Sequence, residues 1–195
     1  MSEHTRFPQL VAIACHDLRT PLATVHGFTH TLGRADLEEP AARYVEMIGA
    51  ATAQLAELLE ELSLVARIEA GRYEPRVETV DSLELARAAA AELDAGAVAV
   101  DGSGASVQVE REPATRALRQ LARAARRHGG RDSVTLVVRG ADLELAPVER
   151  NAAGVVTGAD IRELGAAAAV VYLRALGVSL EHEQDRLRIG LPESG

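Results

Sequence analysis

Tyr44, Ile48, Ala51, Leu55, Leu58, Leu62 and Val65 alternate steps of four and three residues without a break. An apolar repeat of that kind is a heptad seam, and it commits the surrounding segment to a long helix with one face laid against other helices. A second stripe precedes it. Phe7, Val11, Ala14, Leu18, Leu22, Val25, Phe28 and Leu32 recur at steps of three or four, which predicts an amphipathic helix from Glu3 to Leu32 stopped at Gly33. Residues 33–39 make a polar connection, Pro40 suits a first helical turn, and Gly71 ends the second helix. Two long helices and a short loop form a hairpin. One hairpin cannot bury both its seam and its flanks, so two copies pairing as a two-fold four-helix bundle, a homodimer, is the economical arrangement. The alternative is a hairpin that packs on its own C-terminal half.

The rest of the chain is limited by composition. With 195 residues there is room for one sizeable core or two small ones, and 47% apolar with 26% charged residues is the balance of a water-soluble globular chain. Only 3% of residues are aromatic, so the cores are alanine-rich and helix-heavy. A net charge of −8 argues against nucleic acid or an anionic membrane as the main partner, since both need a basic face. Cys15 is the only cysteine, which excludes an internal disulfide or a cysteine-based zinc site and fits a reducing cytoplasm. There is no run of 18 apolar residues and no hydrophobic signal region before Pro8, so neither a membrane span nor an export signal is expected.

Chemistry concentrates in the first helix, in Ala14-Cys15-His16-Asp17-Leu18-Arg19-Thr20-Pro21-Leu22. At about 100° per residue, His16 lies roughly 160° from both Ala14 and Leu18, on the solvent face. Pro21 has no N–H to give to the Asp17 carbonyl and its ring crowds that turn, so a helix bend is predicted just after His16. His26 and His30 are four apart on the same helix, but no nearby acid completes a metal-ligand set, and a solvated face accounts for them better. A lone surface histidine would signify little.

Seven consecutive residues, His16 to Leu22, resemble the H-box of sensor histidine kinases. Ser63 to Gly71 resembles the end of the dimerisation domain of that family. The resemblance implies that His16 is a phosphoacceptor, that Asp17 orients its ring or takes its proton, and that Thr20 positions water against the aspartyl-phosphate of a response-regulator receiver. The ordinary alternative for Thr20 is a local bond back to the His16 carbonyl.

The second half opens with a short extended piece, 76–80, and a predicted capping box, Asp81-Ser82-Leu83-Glu84. The pattern then predicts helix 81–94, strands 97–101 and 106–110, helix 113–128, strands 133–138 and 141–146, helix 158–176, and strands 178–183 and 186–191. Helices alternating with hairpins imply an α/β sandwich with helices on one face, and an α+β chain overall. That order, and the closing Arg186 to Pro192 run, resemble the ATPase-like domain of histidine kinases. The expected domains are therefore residues 1–72, for dimerisation and phosphoacceptance, and 76–195, ATPase-like.

The nucleotide motifs of that family do not follow. Ala124 stands where the family has a magnesium-binding asparagine, and the Leu143 to Asn151 segment holds no Asp-x-Gly-x-Gly run. Leu164 to Ala169 keeps one glycine, Gly165, of a phosphate-binding turn. Asn151, Gly154 and Gly158 are remnants of that site or ordinary loop residues. His128 is expected to cap its helix end, and Glu57, Glu60, Glu61 and Glu69 to keep the second helix solvated. The resemblance thus implies a histidine kinase-like phosphotransferase without ATP-dependent activity, similar to stand-alone histidine phosphotransferases. Such a protein relays phosphoryl groups between His16 and receiver aspartates, with magnesium brought by the receiver. The alternatives are a divergent ATP-dependent sensor kinase, and a non-catalytic dimeric receiver-binding module or receiver phosphatase.

Overall fold

A computed structural model describes residues 3–35 and 37–193. The side chains of residues 3–7, 9 and 10 lie outside that description, as do Met1, Ser2, Asp36, Ser194 and Gly195. The expectations for the Phe7 side chain, for the extreme N-terminus and for Asp36 in the connection fall there. The chain divides into two compact units, 1–73 and 74–195.

The first unit is a hairpin of α1 (Glu3–Leu32) and α2 (Ala41–Glu69). Gly33 donates to the Thr29 carbonyl at 2.9 Å and closes α1, and Gly71 at φ 64° follows α2 as a left-handed stop. Pro40 stands just before α2, as its N-cap. Small and polar side chains hold the two helices together. Cys15, Thr29, Thr52 and Ala66 are buried. Thr29 Oγ1 donates to the Val25 and His26 carbonyls, and Thr52 Oγ1 to those of Ile48 and Gly49, so each hydroxyl is satisfied on its own helix.

The two apolar stripes face outward from this unit. Leu18, Val25, Phe28 and Leu32 of α1 and Tyr44, Ile48, Leu55 and Leu58 of α2 are exposed. In each helix the stripe lies about a quarter turn from the line that meets the other helix. Because the helices run antiparallel, those quarter turns bring both stripes to the same side of the hairpin. His16 lies on the opposite side. One sequence expectation is corrected here: Glu61, grouped with the solvated acids of α2, is only 2% exposed. What the fold brings over a charged helix residue is not encoded in its spacing, and a withdrawn carboxylate is kept only by interactions with neighbouring groups.

The second unit runs β1 (Glu78–Asp81), α3 (Ser82–Ala91), β2 (Val98–Gly104), β3 (Ser106–Val109), α4 (Arg111–Gly129), β4 (Val134–Gly140), β5 (Asp142–Ala146), α5 (Arg150–Val156), α6 (Leu164–Ala175), β6 (Ser179–Glu183) and β7 (Arg186–Gly190). Five strands form one sheet in the order β2-β4-β5-β7-β6. Alternate residues Val134, Leu136 and Val138, Leu143 and Leu145, and Leu187 and Ile189 are buried. Between them lie Glu144 and Arg188, directly paired across β5 and β7. This is the one-faced alternation of a sheet covered by helices on one side. Leu85 of α3, Leu118 and Leu121 of α4 and Leu173 of α6 are likewise buried, each contributing about 1.5–3 kcal/mol of burial.

Two expectations are overturned. Strands β2 and β3 do not form a hairpin: β2 pairs in parallel with β4, and β3 pairs antiparallel with β1 in a separate two-stranded sheet. The Gly102-Ser103-Gly104 segment, which reads as a turn, continues β2. Gly102 has φ 107°, and a β-carbon there would stand 2.0 Å from the Val138 carbonyl oxygen, so glycine serves close strand approach rather than reversal. The predicted helix 158–176 begins only at Leu164, as α6, after a turn through Gly158 at φ 75°, and α5 is a short helix before that turn, where the sequence predicts none. The seven residues of α5 are too few to show periodicity, although Ala152, Val155 and Val156 are buried.

At the start of α3, Asp81 Oδ1 accepts from the N–H groups of Leu83 at 2.9 Å and Glu84 at 3.0 Å, the N-cap half of the predicted box. Glu84 turns instead towards Arg111, at 3.9 Å. The neighbouring Ser82 is fully buried. Its Oγ donates to the Gly140 carbonyl at 2.6 Å and accepts from Ala105 N–H at 3.0 Å, tying three connections together. Ser82→Ala leaves both backbone groups without their partner, and urea unfolding is expected to show a loss of about 1–3 kcal/mol. A loss within the scatter of surface substitutions would mean that water replaces the hydroxyl.

Candidate functional site

The exposed side of α1 opposite the apolar stripes carries His16, with its side chain 82% exposed. Its Nδ1 lies 3.3 Å from Asp17 Oδ1. A carboxylate only accepts, so a hydrogen bond between them requires the ring proton on Nδ1, the tautomer that leaves a lone pair on Nε2, turned away from Asp17. The sequence thus brings the two residues together through adjacency alone, at a long hydrogen-bond distance.

Thr20 follows one turn on. With His16, Arg19, Ala23 and Thr24 it lines a shallow, open concavity along α1. Thr24 Oγ1 donates to the Thr20 carbonyl at 3.1 Å. Among the described residues Thr20 makes no such bond to the His16 carbonyl, so its hydroxyl is available to solvent. Pro21 lies within α1, whose helical span continues past it. The Asp17 carbonyl therefore lacks a proline N–H as partner within the helix.

Arg19 was not singled out from the sequence as a functional residue. It is exposed, forms no ion pair among the described residues and stands beside His16 and Thr20. Its three-residue spacing from His16 was the available signal. Cys15, next to His16, is 1% exposed, and burial pushes its thiol above the ordinary value, with the Arg19 charge offsetting part of the rise. A buried protonated thiol is inert, so Cys15 packs the hairpin. His26 Nδ1 lies 3.4 Å from Thr52 Oγ1, and among the described residues no three metal-ligating side chains gather. No helix among them is long and apolar enough to cross a membrane.

In the second unit, Ala124 is fully buried. Gln120, one turn before it on α4, is also buried, and its amide lies over the first turn of α6: a β-carbon on Gly165 would stand 2.6 Å from Gln120 Cδ. His128, one turn after Ala124, sits in the last turn of α4 as the sequence predicts and also meets an acid from outside the helix. Its Nε2 lies 3.3 Å from Glu163 Oε2, just before α6, and Arg127 reaches the same oxygen at 3.5 Å. The other Glu163 oxygen is buried without a hydrogen bond.

Comparison with known proteins places these geometries. Residues 9–71 match the His Kinase A (phospho-acceptor) domain. Over 65 residues, 33% of this chain, the sequence is 40% identical to the probable sensor histidine kinase TcrY of Mycobacterium tuberculosis, of which the matched stretch spans only 14%. In fold, the chain is similar to full-length ShkA crystallised with AMPPNP, at a TM-score of 0.67 and 19% identity over 96% of this chain and 46% of that one. It is also similar to the histidine kinase AdeS of Acinetobacter baumannii, at a TM-score of 0.53 and 16% identity over 92% and 98%. Residues 9–71 are thus a His Kinase A domain, and the chain as a whole shares the fold of these two solved proteins.

Proposed function

We propose that this chain is a dimeric, cytoplasmic phosphotransfer protein of a two-component relay, in which His16 exchanges phosphoryl groups with response-regulator aspartates and no nucleotide is used. The observation that carries the proposal is the exposed His16 ring with Asp17 on Nδ1, in a concavity shared with Arg19 and Thr20. The Nε2 lone pair attacks phosphorus as the bond from phosphorus to the aspartyl oxygen breaks, and its electron pair returns to the receiver carboxylate. The ring becomes a phosphorylated imidazolium whose Nδ1 proton Asp17 holds, and Arg19 adds positive charge beside the phosphoryl oxygens. In the reverse step a second aspartate takes the phosphoryl group and the pair returns to Nε2. The receiver supplies magnesium. Thr20 is placed to orient water for loss of phosphate from a docked receiver. The outward stripes on the side away from His16 support a dimer that leaves both histidines accessible.

A nucleotide with magnesium does not fit the residues of the second unit. Ala124 offers no ligand, the Gln120 amide fills the space over the first turn of α6, and Glu163 puts a carboxylate at the approach to that helix. The likeness to ShkA, whose crystal contains AMPPNP, favours the rival reading of a divergent ATP-dependent kinase. Calorimetry decides between the two: ATP with magnesium is expected to give no saturable heat, and micromolar binding would overturn the nucleotide-free part of the proposal. Transfer of label from a phosphorylated receiver to the purified protein tests the rest.

A further inference from the structure

Gln120, Ala124 and His128 are spaced four apart and so form one line along α4. Each end of that line meets the start of α6. The buried Gln120 amide sits where a side chain on Gly165 would be, and the His128 ring, with Arg127 beside it, faces the Glu163 carboxylate. Ala124, between them and fully buried, allows the two helices to approach. The segment before α6 is non-helical from Thr157 to Glu163, and its ties to α6 reach the later turns, Arg174 donating to the Thr157 carbonyl at 2.8 Å and Val170 lying against Gly158, so the first turn of α6 is held chiefly by its contacts with α4.

We propose that Gln120 over Gly165, flanked by the pairing of Glu163 with His128 and Arg127, is a latch that keeps the first turn of α6 docked on α4 without any ligand. The proposal rests on the reading that this cleft takes no nucleotide, and it adds what takes the ligand's place in ordering the helix. A side chain at position 165 would have to displace that amide, which occupies the space its β-carbon would take.

Hydrogen exchange on the full-length protein tests the latch through the amides of Gly165 to Ala169, with those of β4 and β5 as internal reference. Gln120→Ala and Gly165→Ala are each expected to speed exchange in the α6 turn by about tenfold or more, with the reference amides unchanged. The double variant should exchange no faster than Gln120→Ala alone, because the added methyl occupies the vacated space. If Gly165→Ala unfolds the whole unit, recovery of β4 protection in the double variant supports the latch, and no recovery overturns it. Single variants within about twofold of wild type, or additive effects in the double, also overturn it. Protection of wild-type α6 by added ATP with magnesium would instead sink the nucleotide-free reading, an outcome distinct from failure of the latch variants.

Discussion

His16→Gln is expected to lose all acid-labile phosphoryl label acquired from a phosphorylated receiver, while the protein stays folded and still binds that receiver. The loss is complete because the amide side chain has no ring nitrogen with an available lone pair to replace Nε2. Folding should survive because the site is 82% exposed and glutamine is a good helix former, so the stability change stays within about 0.5 kcal/mol. Thr20→Ala serves as the complementary variant. It keeps the nucleophile and should label normally, but it slows loss of phosphate from the docked receiver because a methyl group cannot orient water. Filter-retained label at neutral pH, its loss in acid, and receiver binding by calorimetry check these outcomes. Should His16→Gln label as well as wild type, another residue is the acceptor. Should the wild type bind receivers without ever taking label, the chain is a docking module that has kept the H-box as a surface.

The contrast between the two units shows what the sequence exposes and what it hides. Both long helices are legible because their stripes repeat over many turns and end at Gly33 and Gly71, where local chemistry stops a helix. Exposure of His16 follows from the same geometry, since its angle on the wheel is set by Ala14 and Leu18. Pairing is less legible. The Gly102 to Gly104 run carries turn chemistry, and only the approach of Val138 in β4 reveals that glycine is needed there for another strand. The Gln120 to Gly165 contact joins residues 45 positions apart and leaves no periodic trace. From the sequence Gly165 resembles a remnant of a phosphate turn, whereas in the fold a side chain there would have to displace the Gln120 amide. His128 shows the same limit: the position at a helix end is local, but the carboxylate it faces comes from the segment before α6.

Leu55→Asp is expected to convert the protein from dimer to monomer. Leu55 lies midway along the α2 stripe, exposed within one hairpin, between Ala51 and Leu58 on the side that also carries Val25 and Phe28 of α1. In a two-fold bundle the substitution acts twice. Each copy loses the burial of a leucine, about 1.5–3 kcal/mol, and each carboxylate must leave water or keep the helices apart. The sum is roughly 4 kcal/mol or more, about a thousandfold in the dissociation constant. Sedimentation of the full-length protein measures it directly. Glu46→Lys, on the side of α2 away from the stripe, is the control and should leave the dimer intact. The hairpin itself should persist in the monomer, because Thr29, Thr52 and Cys15 line its interior independently of Leu55. Circular dichroism should therefore show retained helix, and a variant that stayed dimeric with that helix content would place the interface on another face.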